Sequence, residues 1–270
     1  MKYLLGIFML VSIHAVAGPK LYVFDCGTVR LSSLEMFNIK PDESSVRELF
    51  IPCYVIKHEK GVLFWDGGLP KTIADAAAPV SDAASGSTMN YQRWIVDQLA
   101  EIGLSPADLD YVSYSHLHFD HAGAANQLVA NTVILQQAEW DAAFEPGHAF
   151  VDPTLIEGLK TAKLKLIEGD YDVFGDGSVR MIYSPGHTPG HQSLLVSLDN
   201  TGLVMLSGDL YHTRANRKLR RVPTFNDNAE QTLASMDKVE KLLADTGATL
   251  WIEHDKELAD TLKKAPAFYD

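Results

Sequence analysis

The chain has 270 residues, of which 46% are hydrophobic and 21% are charged, and its formal net charge is −12. Such a composition is typical of a globular protein and argues against a disordered or fibrous one. The excess of acidic side chains also argues against a broad electropositive surface of the kind that binds nucleic acid.

The first seventeen residues have the composition of a cleavable export signal. Lys2 supplies a positive start, residues 3–13 are mostly apolar, and the segment AVA that follows has the small-x-small form that a signal peptidase accepts. The apolar run is too short for stable membrane insertion as a spanning helix. We therefore expect cleavage near Ala17–Gly18 and a periplasmic or secreted mature chain. An uncleaved lipid anchor is the disfavoured alternative, because no cysteine stands at the cleavage point.

Three segments near the N-terminus predict successive β-strands, because they are rich in Val, Ile and aromatic residues and are punctuated by Gly. They read LYVFDCGTV, IPCYVIKH and GVLFWDGG, and Cys26 and Cys53 lie on the first two. Export permits a disulfide, but pairing needs Cα atoms within about 7 Å. Both states stay open, and buried free thiols are the favoured one. A zinc site at these cysteines is disfavoured since no CxxC pair is present.

The rest of the chain predicts helices and strands. The stretch from Pro70 to Met89 is small and polar, which predicts a surface loop or lid. Apolar periodicity and caps predict helices at 90–103, 123–130, 138–144, 152–161, 229–247 and 256–265. Strands are predicted at DLDYVSYS, TVILQQ, SVRMIYS, HQSLLVSL, GLVMLSGD and ATLWIEH.

The order of these elements predicts an α/β fold. Strands cluster at the start of each half, and helices follow them, so two mixed β-sheets should pack face to face with helices outside. We expect a single domain over residues 18–270. A dense basic run at Arg217–Arg221 is interpreted as a solvated loop balanced by nearby acids, and the alternative is a clamp for a phosphate or carboxylate.

The segment SHLHFDHAG places three histidines and an aspartate close together, just after a predicted strand. His116 and His118 alternate with Leu117, so on extended backbone they point the same way. Asp120 and His121 follow where the chain turns, and can face a second point a few ångströms away. Imidazole and carboxylate together suit zinc and its first-row neighbours, so this segment predicts two metal positions.

This HxHxDH segment resembles the signature of the metallo-β-lactamase superfamily. Four further segments match the superfamily's pattern in order and spacing, and the five together cover most of the mature chain. They read LFWDGGL, SPGHTPGHQS, LSGDLYH and WIEHDKEL. The resemblance implies the αβ/βα sandwich of that superfamily and two divalent metal ions, with Zn²⁺ as the expected metal.

The resemblance also implies a set of seven ligands. One metal would be held by His116, His118 and His187, the other by Asp120, His121 and His254, and Asp209 would join them. Asp66, in LFWDGGL, would orient a ligand imidazole from behind. Because the ligands come from separate segments, metal loss should lower stability as well as activity.

Details of the motif narrow the implied chemistry to hydrolysis. Redox diiron relatives carry Glu where His118 stands, and true metallo-β-lactamases usually lack the joining aspartate. Glyoxalase II adds a helical C-terminal region, for which the short remainder after His254 leaves no room. The segments SPGHTPGHQSL and EHDKELADTLKKAPAFY are most similar to the N-acyl-homoserine lactonases. A small-molecule lactone with an acyl chain is therefore the implied substrate.

In that family a metal-bridging hydroxide attacks the lactone carbonyl, and the resemblance gives Asp120 the transfer of a proton to the departing ring oxygen. A tyrosine of the family hydrogen-bonds the substrate carbonyl or the departing ring oxygen, and Tyr211 is the candidate for it. The family's tyrosine stands three positions after the aspartate, whereas Tyr211 stands two after Asp209, and His212 takes the third place. A purely structural Tyr211 is therefore the alternative.

Other features of the function stay open at this point. The acyl chain should lie in an apolar groove, with Met89, Tyr91, Phe144 and Phe150 as candidates and plain packing as the alternative for each. A β-lactam, ester or organophosphate hydrolase on the same metal site is the rival activity. A metal-binding protein without catalysis is disfavoured by the complete ligand set. A homodimer is common among relatives, and the sequence carries no mark of it.

Overall fold

The computed structural model describes residues 18–83, 85–128, 130, 132–148 and 150–270. The predicted export signal at residues 1–17 lies outside this described part of the chain. None of the helices within the described ranges is long and apolar enough to cross a membrane.

The larger of two sheets contains eight strands among the described residues. They are β1 Lys20–Leu31, β2 Glu48–His58, β3 Gly61–Trp65, β4 Val80–Asp82, β5 Ser87–Asn90, β6 Tyr111–Ser113, β7 Thr132–Gln136 and β8 Leu164–Ile167. Their spatial order is β4-β5-β1-β2-β3-β6-β7-β8. The pairs from β4 to β3 are antiparallel and the pairs from β3 to β8 are parallel, so the sheet is mixed.

The smaller sheet contains five strands in the described part of the chain. They are β9 Tyr171–Asp172, β10 Val179–Tyr183, β11 Gln192–Leu198, β12 Gly202–Leu206 and β13 Thr249–Trp251. Their order is β13-β12-β11-β10-β9. The strand β13 joins β12 in parallel after a long helical crossover, which a parallel pair requires.

The helices are α1 Lys71–Ala74, α2 Ile95–Glu101, α3 Gln137–Ala143, α4 Arg214–Leu219, α5 Ala229–Thr246 and α6 Lys256–Ala259. The longest of the described helices, α5, begins where the side chain of Asn228 accepts a hydrogen bond from the backbone N–H of Gln231. It ends at Gly247, which has φ +70°. These bounds agree with the helix predicted at 229–247, and both ends carry residues that favour capping.

The strand β1 is buried on both faces. Leu21 and Val23 belong to an apolar cluster between the sheets that includes Leu206 of β12. Tyr22 and Phe24 point the other way, into the cluster beneath the helices. Because successive strand side chains alternate between faces, an unbroken apolar run suits a strand covered on both sides. The layers are helix, sheet, sheet and helix, which confirms the predicted αβ/βα sandwich.

Some predicted elements differ from the structure. The predicted loop at 70–89 contains α1 and the β4–β5 hairpin, because β5 pairs with β1 through backbone hydrogen bonds that small polar side chains do not impede. Described residues within 123–130 form turns instead of a helix, and Gly123 packs so closely on the backbone of Gly68 that a Cβ has no room. The predicted helix at 152–161 is reduced to a 3-10 turn at Glu157–Thr161.

The basic run forms the end of α4 and the turn after it instead of a loop. Arg217 Nε lies 2.7 Å from Glu240 Oε1, and an Arg221 nitrogen lies 2.9 Å from Glu43 Oε1. The predicted balance by nearby acids is confirmed at these two arginines.

Cys26 and Cys53 form a disulfide with Cα atoms 5.8 Å apart, so the favoured expectation of free thiols is wrong. In the antiparallel pair of β1 and β2, Cys53 lies opposite Phe24, and the register shifts between Asp25 and Thr28. This irregularity brings Cys26 beside Cys53, which neither strand pattern alone indicates.

Replacing both cysteines by alanine should lower the free energy of unfolding by about 3 kcal/mol. The bond closes a loop between residues 27 positions apart, and its loss returns conformational entropy to the unfolded chain. Urea unfolding of the oxidised wild type and of the double variant measures the difference, with reduced wild type as the control. Equal midpoints for all three would contradict the prediction.

Candidate metal centre

The predicted metal ligands lie on four segments that follow strands. Residues 116–121 follow β6 of the larger sheet, and His187, Asp209 and His254 follow β10, β12 and β13 of the smaller one. The strands β10 and β12 both run antiparallel to β11, and β13 runs parallel to β12. Their carboxyl ends therefore meet at one edge of the smaller sheet, and the segments beyond them converge there.

The seven residues fall into two groups, and the possible ligand atoms within each group lie within 4.8 Å of one another. The first group is His116, His118, His187 and Asp209, and the second is Asp120, His121 and His254. The structure thus brings together every residue that the sequence proposed for the metals.

Asp209 faces both groups with different oxygens. Its Oδ2 lies 3.3 Å from His187 Nε2 and 3.7 Å from His116 Nε2. Its Oδ1 lies 2.8 Å from His254 Nε2 and 3.4 Å from His121 Nε2. One carboxylate is therefore placed to contribute an oxygen to each group.

Several of the converging atoms lack other partners. Nε2 of His116 and Nε2 of His121 are buried and have no hydrogen-bond partner among the described residues. Asp209 Oδ1 also forms no hydrogen bond within the described chain, although His254 Nε2 lies 2.8 Å from it. Burying polar atoms without partners costs free energy. Atoms that converge on common points without pairing fit metal ions at those points.

The opposite ring nitrogens of these histidines are anchored. His254 Nδ1 lies 2.9 Å from the carbonyl oxygen of Phe50, and His121 Nδ1 lies 3.3 Å from Asp66 Oδ2. The other oxygen of Asp66 accepts a hydrogen bond from the backbone N–H of Ser115 at 2.6 Å. Such contacts fix a ring and leave its Nε2 to bind a metal. Asp66 therefore stands where an orienting carboxylate was expected.

Burial and neighbouring charges set the protonation of the cluster. Burial, reinforced by the imidazole of His121, holds the pKa of His116 well below its usual value. Burial by itself raises the pKa of Asp209, but the imidazoles of His212, His254 and His121 outweigh it and hold that pKa well below its usual range. The neutral imidazole of His116 beside the ionised carboxylate of Asp209 is a donor pair that zinc accepts, as do iron, manganese and cobalt.

Tyr211, the candidate substrate donor, faces away from the cluster. Its buried hydroxyl donates a hydrogen bond to Glu240 Oε1 at 2.8 Å, and its ring packs in the cluster beneath α5. His212 turns inward instead, with Nε2 at 3.0 Å from Asp209 Oδ2. The geometry thus gives Tyr211 a packing role, which was the stated alternative. The spacing was the signal that pointed to His212, because this residue takes the third place after Asp209.

A cavity of about 170 Å³ opens beside the cluster. Its lining includes Asp120, Asp209, His212 and two further histidines of the cluster. The rest of the lining is mainly apolar. It consists of Val29, Leu31, Met36, Phe37, Leu49, Met89, Phe119, Phe150 and Phe225, together with the polar residues Asp82, Ser85 and Ser87. Of the predicted acyl-chain candidates, Met89 and Phe150 line this cavity, whereas Tyr91 and Phe144 pack elsewhere in the core beneath the helices.

Two buried carboxylates near the site were missed by sequence reasoning. Glu139 on α3 is tied to the segments that carry His116, His118 and His187. Glu253, directly before His254, has both carboxylate oxygens buried without a hydrogen-bond partner among the described residues. Burial, followed by the charge of Asp66, raises the pKa of Glu253 to about 8. Neither residue belongs to a spacing pattern that could have marked it.

Comparison with known proteins shows which family and which relatives this chain resembles. A family described as the metallo-beta-lactamase superfamily matches residues 46–247. The N-acyl homoserine lactonase AttM of Rhizobium radiobacter is 33% identical over 269 residues, which cover 93% of this chain and 98% of that protein. An N-acyl homoserine lactonase of Bacillus cereus is 31% identical over 240 residues, which cover 84% of this chain and 93% of the relative.

Solved structures show the same similarity. An N-acyl homoserine lactone hydrolase with the product N-hexanoyl-L-homoserine at its catalytic metal center has a TM-score of 0.80 and 28% identity, covering 93% of this chain and 99% of that one. The dizinc quorum-quenching lactonase AidC has a TM-score of 0.67 at 20% identity, covering 95% of both chains, and supports the fold alone.

Proposed function

Because this chain belongs to the metallo-β-lactamase superfamily, we propose that it is a two-metal hydrolase that opens the lactone ring of N-acyl-homoserine lactones. The observation that carries the proposal is Asp209, which directs one oxygen to each ligand group at the wall of a largely apolar cavity. The relatives named as lactonases match nearly the whole chain, which supports the choice of substrate.

Different residues are proposed to bind each metal ion and to transfer a proton. His116, His118 and His187 would hold one divalent ion, and Asp120, His121 and His254 the other, with zinc as the proposed metal. When bound, two such ions supply an activated water and polarise a carbonyl. Asp120, whose side chain is 16% exposed, lines the cavity and is proposed to hand a proton to the departing ring oxygen.

The cavity suits a substrate that carries an acyl chain. Its apolar lining would take the acyl chain, and the lactone would face Asp120 and Asp209. Contact with the substrate from the segment after Asp209 would come from His212, since Tyr211 faces Glu240. Burial excludes bulk water from the cluster, which strengthens the electrostatic interactions there.

The proposal is tested by measuring kcat/KM on metal-analysed protein for three substrates. We expect an N-acyl-homoserine lactone with a long acyl chain to exceed a carbapenem and a phosphotriester by about 100-fold or more. A faster reaction with either rival substrate would contradict the lactonase assignment while keeping a metal hydrolase. No turnover of any of them by the metal-loaded protein would contradict hydrolysis.

We also propose that the mature enzyme acts outside the cytoplasm. The composition of residues 1–17 supports export, and so does the Cys26–Cys53 disulfide, because such bonds persist in oxidising compartments. Expression with the native N-terminus in a Gram-negative host should give a periplasmic protein whose N-terminal sequence begins near Gly18. Full-length protein found solely in the cytoplasm would contradict this. A homodimer stays a prediction.

A further inference from the structure

Glu139 is a buried carboxylate that lies outside the two ligand groups. Glu139 is 3% exposed and belongs to α3, which packs next to β7. Oε1 accepts a hydrogen bond from the backbone N–H of Leu117 at 2.8 Å. Oε2 accepts one from Thr188 Oγ1 at 2.6 Å and one from the backbone N–H of Gly190 at 3.0 Å. All three partners are donors, which matches a group that only accepts.

The partners of Glu139 lie next to metal-ligand positions. Leu117 stands between His116 and His118, and Thr188 directly follows His187. These segments follow strands of different sheets, and within the described residues no ladder pairs those two strands. Yet His187 Nε2 and His118 Nδ1 lie 3.1 Å apart, a separation at which both nitrogens would be able to hold one ion. A single carboxylate thus links both sides of the first ligand group.

The close packing of α3 against the segment after His187 depends on Gly190, which has no side chain. A Cβ at Gly190 would lie 2.3 Å from the Cβ of Glu139 and 2.3 Å from its backbone nitrogen. Glycine therefore lets the helix come close enough for Oε2 to reach the backbone N–H of Gly190. The close contact makes the position of the carboxylate relative to this segment well defined.

A carboxylate suits this position better than an amide of the same shape. Glutamine would present an NH₂ group to at least one of the three donors and leave that donor unpaired. Leaving a buried donor unpaired costs the full desolvation of that group. The burial of Glu139 raises its pKa, and its three hydrogen bonds oppose that shift.

We propose that Glu139 is a positioning residue that holds the segments of His118 and His187 at the separation that the first metal requires. The inference rests on the two-metal centre of the proposed function but not on the choice of substrate. It assigns a role in metal affinity to a residue that touches neither the metal nor the lactone.

The test compares Glu139→Gln with Asp141→Asn, an exposed carboxylate on the same helix. Competition with a chelator should show that Glu139→Gln binds the first metal about 10- to 100-fold more weakly, with the second metal little changed. The absorption spectrum of the cobalt-substituted protein should change in parallel. Asp141→Asn should match the wild type in both measurements.

A second variant keeps the test decisive if Glu139→Gln does not fold. Thr188→Val removes one of the three hydrogen bonds and leaves the carboxylate. It should therefore weaken the binding of the first metal by a smaller factor than Glu139→Gln does. Folded variants that bind both metals as tightly as the wild type, with only the melting temperature lowered, would overturn the positioning role. Fewer than two ions bound by the wild type itself would instead contradict the proposed two-metal function.

Discussion

Asp209→Ala is expected to lower kcat/KM for lactone opening on the order of 1,000-fold and to reduce the bound metal to fewer than two ions. Asp209 is the residue whose two oxygens face different ligand groups, at 3.3 Å from His187 Nε2 and 2.8 Å from His254 Nε2. Alanine removes both oxygens at once and leaves the two sets of imidazoles without a shared anion between them.

The loss of activity and of bound metal should be larger for Asp209 than for a ligand that faces only one of the two groups, and the reason is electrostatic. The imidazoles around Asp209 hold its pKa well below the usual range, so it contributes a full negative charge at neutral pH. In a buried site that charge is screened far less than it would be in water, and its removal weakens the attraction for both cations.

The measurement is metal analysis together with steady-state kinetics on the variant. Tyr211→Phe serves as the matched control, because it alters a buried side chain two residues away whose hydroxyl meets Glu240 instead of the cluster. Near-normal turnover is expected for that control. Full activity of Asp209→Ala with two ions bound would contradict the bridging role, and a large loss in Tyr211→Phe would return that tyrosine to the mechanism.

Removal of the metals from the wild type is expected to lower the melting temperature by about 10 °C or more. Each ion present at 100 times its dissociation constant stabilises the folded state by about 2.7 kcal/mol, and two ions contribute roughly twice that. For a chain of this size 1 kcal/mol corresponds to about 2–4 °C. The ligands come from both sheets, so the metals also join segments that are far apart in the sequence.

Thermal unfolding with and without a chelator measures this effect, and adding the metal back tests its reversal. The Asp209→Ala variant provides the comparison, because its melting temperature should respond less to the chelator. Superimposable melting curves for the metal-loaded and metal-free wild type would show that the ligand segments hold their positions unaided. That result would contradict the expected coupling of metal binding to stability.

Much of the site follows from local sequence. His116, His118 and Asp120 are near neighbours, so their chemistry and spacing are fixed by the chain itself whatever surrounds them. The strands were predictable for a similar reason, since a run such as LYVF needs burial on both faces. For the distant ligands, His187 and His254, family resemblance was required, because no periodicity links segments so far apart.

Tertiary structure decided what depends on the direction of a side chain. Gly208, with φ +51°, begins a 3-10 turn that continues to Leu210, after which Tyr211 returns to extended backbone. This change of backbone turns Tyr211 towards Glu240 and His212 towards Asp209, which residue type and spacing do not determine.

The remaining features depend on where separate segments pack. The Cys26–Cys53 bond arises from strand register and a bulge, and the contacts of Glu139 arise from the approach of α3 to two loops. The sequence by itself therefore determined the metal-binding chemistry of residues 116–121 and the strands and helices of the layered fold, because residue type and periodicity act locally. Only the tertiary structure decided which atoms meet, because those contacts are set by packing between segments far apart along the chain.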